Sequence, residues 1–101
     1  MITIDLMALS PGVKDVRFEA VGEKGGCKLT KVWIKAGAVL ARHVSPVPAS
    51  VLAVSGTGIF EVSGERIHLK PGVIVSFDAM IPHEARAESD LTLLVVKYPP
   101  S

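Results

Sequence analysis

Histidine is the side chain that titrates near neutral pH and the commonest metal ligand, and the chain of 101 residues holds three, His43, His68 and His83. Local alternation separates them, because successive side chains of a strand point to opposite faces. His83 shares a face with Ala85 and Ala87, while Glu84, Arg86 and Glu88 take the other. The charged face belongs to solvent, so His83 turns inward among small residues that leave space around it. The same reading groups Val39, Ala41, His43 and Ser45 on one face, with Arg42 opposite, and turns His43 and Ser45 inward too. His68 alternates with Arg66 and Lys70 against Ile67 and Leu69, which puts it at the surface. Two inward imidazoles are a costly choice for a core that could be wholly aliphatic, because a buried imidazole needs partners for its nitrogens. They suit a polar, roomy pocket in which they bind a ligand, coordinate a metal or move a proton.

The segments that position these histidines read as strands. Short apolar runs recur at about ten-residue intervals between glycine, proline and serine clusters, the layout of an all-β sandwich or barrel. The runs are 16–21, 28–35, 39–44, 50–55, 59–63, 66–69, 73–77, 83–87 and 91–97. Fourteen valines and seven isoleucines against nine leucines agree with this, since β-branched side chains suit a pleated surface. Ser63-Gly64-Glu65 separates two alternating runs and reads as a tight hairpin, for which glycine accepts the positive φ. Pro99-Pro100 ends the last strand, because proline cannot continue a ladder. The first fifteen residues have no clear period and leave room for one helical turn.

Composition bounds the rest. The chain is read as one domain over 1–101, near the lower end of what folds on its own core. Five aromatic residues in a chain that is 49% hydrophobic make that core aliphatic. With a formal charge of +1 and no basic run, nothing points to nucleic acid or an anionic membrane, and neither is expected as a partner. Cys27 stands alone, so there is no internal disulfide, which fits a reducing compartment. Its expected role is a small buried or half-buried side chain. No apolar stretch approaches a membrane span, and residues 1–5 lack the layout of a signal peptide. The expected location is the cytoplasm. A small barrel this apolar also exposes surface that usually marks an interface. A homodimer follows, with an amino-terminal strand over 2–6 and the run 31–35 as its candidate surfaces.

Two segments carry a resemblance. The first runs from Gly37 through His43 to Gly56, and the second from Gly72 to His83, flanked by Val54-Ser55-Gly56-Thr57-Gly58 and Leu69-Lys70-Pro71-Gly72. Together they resemble the paired motifs of the small single-domain cupins (the cupin 2 conserved barrel family) over about residues 33–87. The resemblance implies an antiparallel β-barrel of the double-stranded β-helix or jelly-roll type, commonly a homodimer. In that family the first motif supplies two histidines and a glutamate and the second a further histidine, which hold a metal. Here His43 and His83 match, Ser45 stands at the second histidine and Ala49 at the glutamate. In the second motif, Asp78, Met80 and Ala87 replace the usual proline, glycine and asparagine.

The metal implied by the resemblance is a divalent transition ion such as zinc, nickel, iron or manganese, with His43 and His83 as ligands. A catalytic metal usually takes three or more protein ligands. Ser45 keeps its proton near neutral pH and Ala49 offers no donor atom, so metal is expected to be absent or loosely held unless Asp78 or Glu61 turns inward. The favoured function is binding of an unidentified small molecule in an interior pocket lined by His43, Ser45, Ala49 and His83. The alternative is a metal-dependent enzyme of dioxygenase or isomerase type using His43 and His83. A metal-free form of it, similar to sugar-nucleotide epimerases, would use one histidine as general base with Asp78 as its orienting carboxylate. Arg42 and Trp33 are secondary candidates near a barrel mouth.

Overall fold

A computed structural model describes residues 1–7 and 14–100. Its regular structure there is entirely β, in nine strands: β1 (Val16–Lys24), β2 (Cys27–Ile34), β3 (Val39–His43), β4 (Ala49–Ser55), β5 (Gly58–Val62), β6 (Glu65–Leu69), β7 (Ile74–Phe77), β8 (His83–Ala87) and β9 (Leu91–Lys97). Each falls on one of the apolar runs, because alternation makes one face of each strand a candidate for burial. The strands form two antiparallel sheets, ordered β1-β2-β9-β4-β7 and β3-β8-β5-β6. Their inner faces pack together as the flattened barrel of a jelly roll. No helix among the described residues is long and apolar enough to cross a membrane.

Register decides what lies inside. In the larger sheet one inward row runs Phe18, Val32, Leu93, Ala53, and the next runs Thr30, Val95, Val51, Val75. A third, at one end, runs Lys28, Lys97, Ala49, Phe77. The smaller sheet answers with Leu40, Ala85, Phe60 and Ile67, then His43, His83 and Val62. The buried centre is aliphatic except for Phe60, with Val32, Ile34, Val51, Leu69, Leu91 and Leu93 around it. Each such side chain contributes about 1.5–3 kcal/mol by leaving water.

Two turns required a special backbone. Ser63 (φ 52°) and Gly64 (φ 79°) both take left-handed conformations, the signature of the type I′ turn that matches strand twist. The hairpin is therefore the expected one, although its serine as well as its glycine accepts positive φ. Gly56 has φ 82° and presses against the backbone carbonyl of Asp90, where a Cβ would collide. That contact helps close one end of the barrel. There the Gly37 N–H donates to the Ala87 carbonyl (2.8 Å), Glu88 N–H to Thr57 carbonyl (2.9 Å), and Ala36 N–H to Asp90 Oδ1 (2.9 Å).

The amino terminus differs from expectation. Residues 2–6 form no strand. The side chain of Ile2 instead lies over Gly22, at the β1 bulge between Ala20 and Gly22, so this segment covers the edge strand without pairing to it. The helical turn read into the first fifteen residues falls partly on 8–13, outside the described residues.

Candidate functional site

β3 and β8 bring the two histidines together as direct register partners, with ring centroids 4.1 Å apart and planes inclined at 65°. They sit side by side on adjacent strands. A β-bulge in β3 sets this geometry: Leu40 pairs with Ala85 and His43 with His83, so Ala41 and Arg42 together oppose Glu84. Bulges re-aim side chains, and this one moves the phase of β3 by one residue. Leu40, not Val39 or Ala41, joins His43 on the cavity wall. Simple alternation thus gave His43 the right direction through a strand whose first half runs in the opposite phase.

Each imidazole is held by the carbonyl two residues before it. His43 Nδ1 lies 2.8 Å from the Ala41 oxygen, and His83 Nδ1 lies 2.8 Å from the Ile81 oxygen. A carbonyl only accepts, so each Nδ1 carries the proton and donates it. In the neutral rings both Nε2 atoms keep a lone pair for something else. The two rings differ in surroundings. His43 is at the exposed rim, whereas His83 is 6% exposed and packs on Phe77 from the opposite sheet (4.5 Å between centroids) and Phe60 (5.8 Å). Burial pushes the His83 pKa below its ordinary value of 6.5, and repulsion from His43 and Lys97 adds to this, against the opposing effect of the hydrogen bond to Ile81.

The rings border an interior cavity of about 80 Å³, lined also by Ser45, Ala49, Phe60, Phe77, Val95 and Lys97. A single water needs roughly 10–15 Å³ of such space, so the cavity has room for a small molecule. Ser45 is buried, but its hydroxyl donates to the Val47 carbonyl (2.7 Å) and accepts from Val47 N–H (3.3 Å). It closes a local turn, which occupies the polar capacity assigned to it from sequence. Ala49 supplies a methyl on the cavity wall opposite the histidines.

The other candidates lie elsewhere. Glu61 faces outward and its carboxylate is 3.2 Å from Arg66 Nε. Asp78 is exposed and does not border the cavity. Arg42 reaches Glu84 on the outer face at 3.8 Å, and Trp33 alternates out of phase with the cavity-lining Val32. His68 is at the surface as expected, 3.8 Å from Glu88. Lys97 was missed by the sequence reading. It belongs to the apolar run of β9, and only its register beside Ala49 reveals that it faces the histidines.

This donor set does not fit a resident transition metal. It offers two neutral nitrogens, and among the described residues no group of three or more His, Cys, Asp or Glu side chains converges. Among the described residues of the cavity wall the one charged group is the Lys97 ammonium, which repels a metal cation.

Comparison with known proteins places this geometry in context. A family model described as Cupin domain matches residues 31–97. No curated protein sequence matches the chain. Among solved structures, TT1209 from Thermus thermophilus is similar at 26% identity over all of both chains, with a TM-score of 0.86. An RmlC-like cupin protein from Desulfovibrio desulfuricans shares 24% identity over 98% of this chain and 100% of that one (TM-score 0.78). A Cupin_2 domain of an XRE family transcriptional regulator from Enterobacter cloacae shares 19% over 87% of this chain and 100% of that one (TM-score 0.76).

Proposed function

This chain belongs to the cupin family, and from that premise we propose that it binds a small molecule inside its barrel without a resident metal. The observation that carries this reading is the orientation of the imidazoles. Both Nδ1 atoms are tied to backbone carbonyls, and both rings border a cavity larger than water requires. Such anchoring holds a ring for contact at its other nitrogen. Around the pair, Phe60, Phe77 and Val95 provide apolar wall, the usual makeup of a ligand site with a few polar groups that set orientation.

The rival is a metal-dependent enzyme of dioxygenase or isomerase type with His43 and His83 as ligands. Fold does not decide between the two, since one fold hosts many functions. The donor set weighs against it.

A fragment titration followed by NMR tests the binding reading. Ligands should move the ring signals of His83, His43 and Phe60, and Ala49→Leu, which fills the cavity from its wall, should abolish these shifts while strand content by circular dichroism is kept. Fragments that bind equally well to the filled variant would overturn the assignment.

A further inference from the structure

The cavity contains a lysine that a purely apolar pocket would not need. Lys97 ends β9 and borders the cavity with both histidines. Its backbone is fixed between Lys28 of β2 and Ala49 of β4, and the following N–H, that of Tyr98, donates to the Pro48 carbonyl at 3.0 Å. Lys28 lies in the same inward row at the exposed rim. Like charges directly opposite on neighbouring strands repel. Among the described residues neither lysine has a carboxylate within ion-pair distance. Glu23, the other register partner of Lys28, and Asp78, just beyond Phe77, are the acidic residues nearest by register, and they pair with neither. On the outer face of the four-stranded sheet Arg42, Arg66 and His68 each have a carboxylate partner and, among the described residues, Arg86 does not.

On the facing sheet, roughly 10 Å away, His43 and His83 border the same cavity as Lys97, each with a lone pair left at Nε2. With the proton on Nδ1 these atoms accept, so their complement is a donor such as a hydroxyl. One ammonium matches a single negative charge. A phosphate, with up to two charges and three oxygens to satisfy, is usually met by more donors than one lysine supplies, such as an arginine fork or a nest of backbone N–H groups, and the cavity wall includes no arginine among the described residues. We propose that the cavity binds a small hydroxycarboxylate, its carboxylate on Lys97, its hydroxyl donating to one Nε2 of the imidazole pair and its carbon skeleton against Phe60 and Val95. This rests on the pocket reading above and names the class of ligand.

Three matched probes test it: 2-hydroxybutanoate, butanoate, which lacks the hydroxyl, and 2-hydroxybutanamide, which lacks the charge. Calorimetry and NMR on the full chain would measure each against the parent and Lys97→Met, which keeps the aliphatic stem. The hydroxy acid should bind the parent about tenfold or more tightly than either relative, as one charge-assisted contact allows. In Lys97→Met the preference for acid over amide should collapse to near one, with amide binding retained as proof of an intact pocket. Equal binding of acid and amide to the parent, or an unchanged preference in Lys97→Met, overturns the ligand class and leaves the pocket reading standing. If none of the three moves the His83 and Phe60 signals, the ligand class falls, and the fragment titration decides the pocket reading.

Discussion

At one end of the barrel the loops at 35–38, 56–58 and 88–90 are tied together by backbone hydrogen bonds and by the Asp90 carboxylate, with Gly56 against Asp90 and Leu91 fully buried beneath. At the other end two imidazoles and an ammonium face a cavity, and the one serine there is closed on its own turn. The same strands run through both ends. The closed end has satisfied its polar groups internally, so changes there should be felt as stability. The open end keeps two imidazole Nε2 atoms without a hydrogen bond among the described residues, capacity that the proposed ligand would use, an arrangement that natural sites accept at some cost in stability. Changes there should be felt as binding.

The largest effect expected from this contrast is at Gly56. In Gly56→Ala the new methyl meets the Asp90 carbonyl and the residue must also hold a left-handed φ. A strained φ alone costs about 1–3 kcal/mol, and the collision adds to it. The thermal midpoint should fall by roughly 10 °C or more for a domain of this size. A variant melting with the parent would show that this end is not tightly closed.

A smaller effect concerns pH. Burial and the neighbouring His43 and Lys97 keep His83 neutral in the fold, below its ordinary pKa of 6.5. The unfolded chain therefore binds the proton more readily in the window below 6.5. The stability contributed by neutral His83 is complete above that value and is lost as pH falls toward the folded pKa. The denaturation midpoint should drop through this window in the parent and less in His83→Gln. Identical pH slopes in the two proteins would contradict the burial argument.

The smallest effect on stability is expected at the rim. His43 is exposed, and its one hydrogen bond is to the carbonyl of its own bulge. His43→Ala should change unfolding free energy by less than about 1 kcal/mol, measured by urea titration, while weakening any ligand held by the imidazole pair. A large loss of stability would make His43 a structural residue and blur the distinction between the two ends.

The contrast also explains what could be read in the sequence. All nine strands were legible, because β-branched runs between glycine and proline turns leave little else for the chain to do. The inward course of His83 followed from the charges at Glu84, Arg86 and Glu88. Three features were hidden. Bulges at Gly22 and in β3 change phase without a distinctive residue, so β1 runs on to Lys24, past its expected end at Val21. The adjacency of His43 and His83 depends on strand order, which local pattern does not encode. Lys97 acquires meaning only from its partners across the sheet, Ala49 and Lys28.

The open end holds an incomplete metal shell, and a metal titration addresses that directly. Zinc, nickel or iron would be titrated into the parent, purified without added metal or a metal-binding tag, and into the double variant Ser45→His, Ala49→Glu under identical conditions. The parent should bind weakly and far below one ion per chain at micromolar concentration, and either His43→Ala or His83→Ala should remove what binding there is. The double variant should gain strongly, because a third imidazole and a carboxylate rebuild a four-ligand shell. Tightly held, near-stoichiometric metal in the parent would contradict the account and make the site a metal centre.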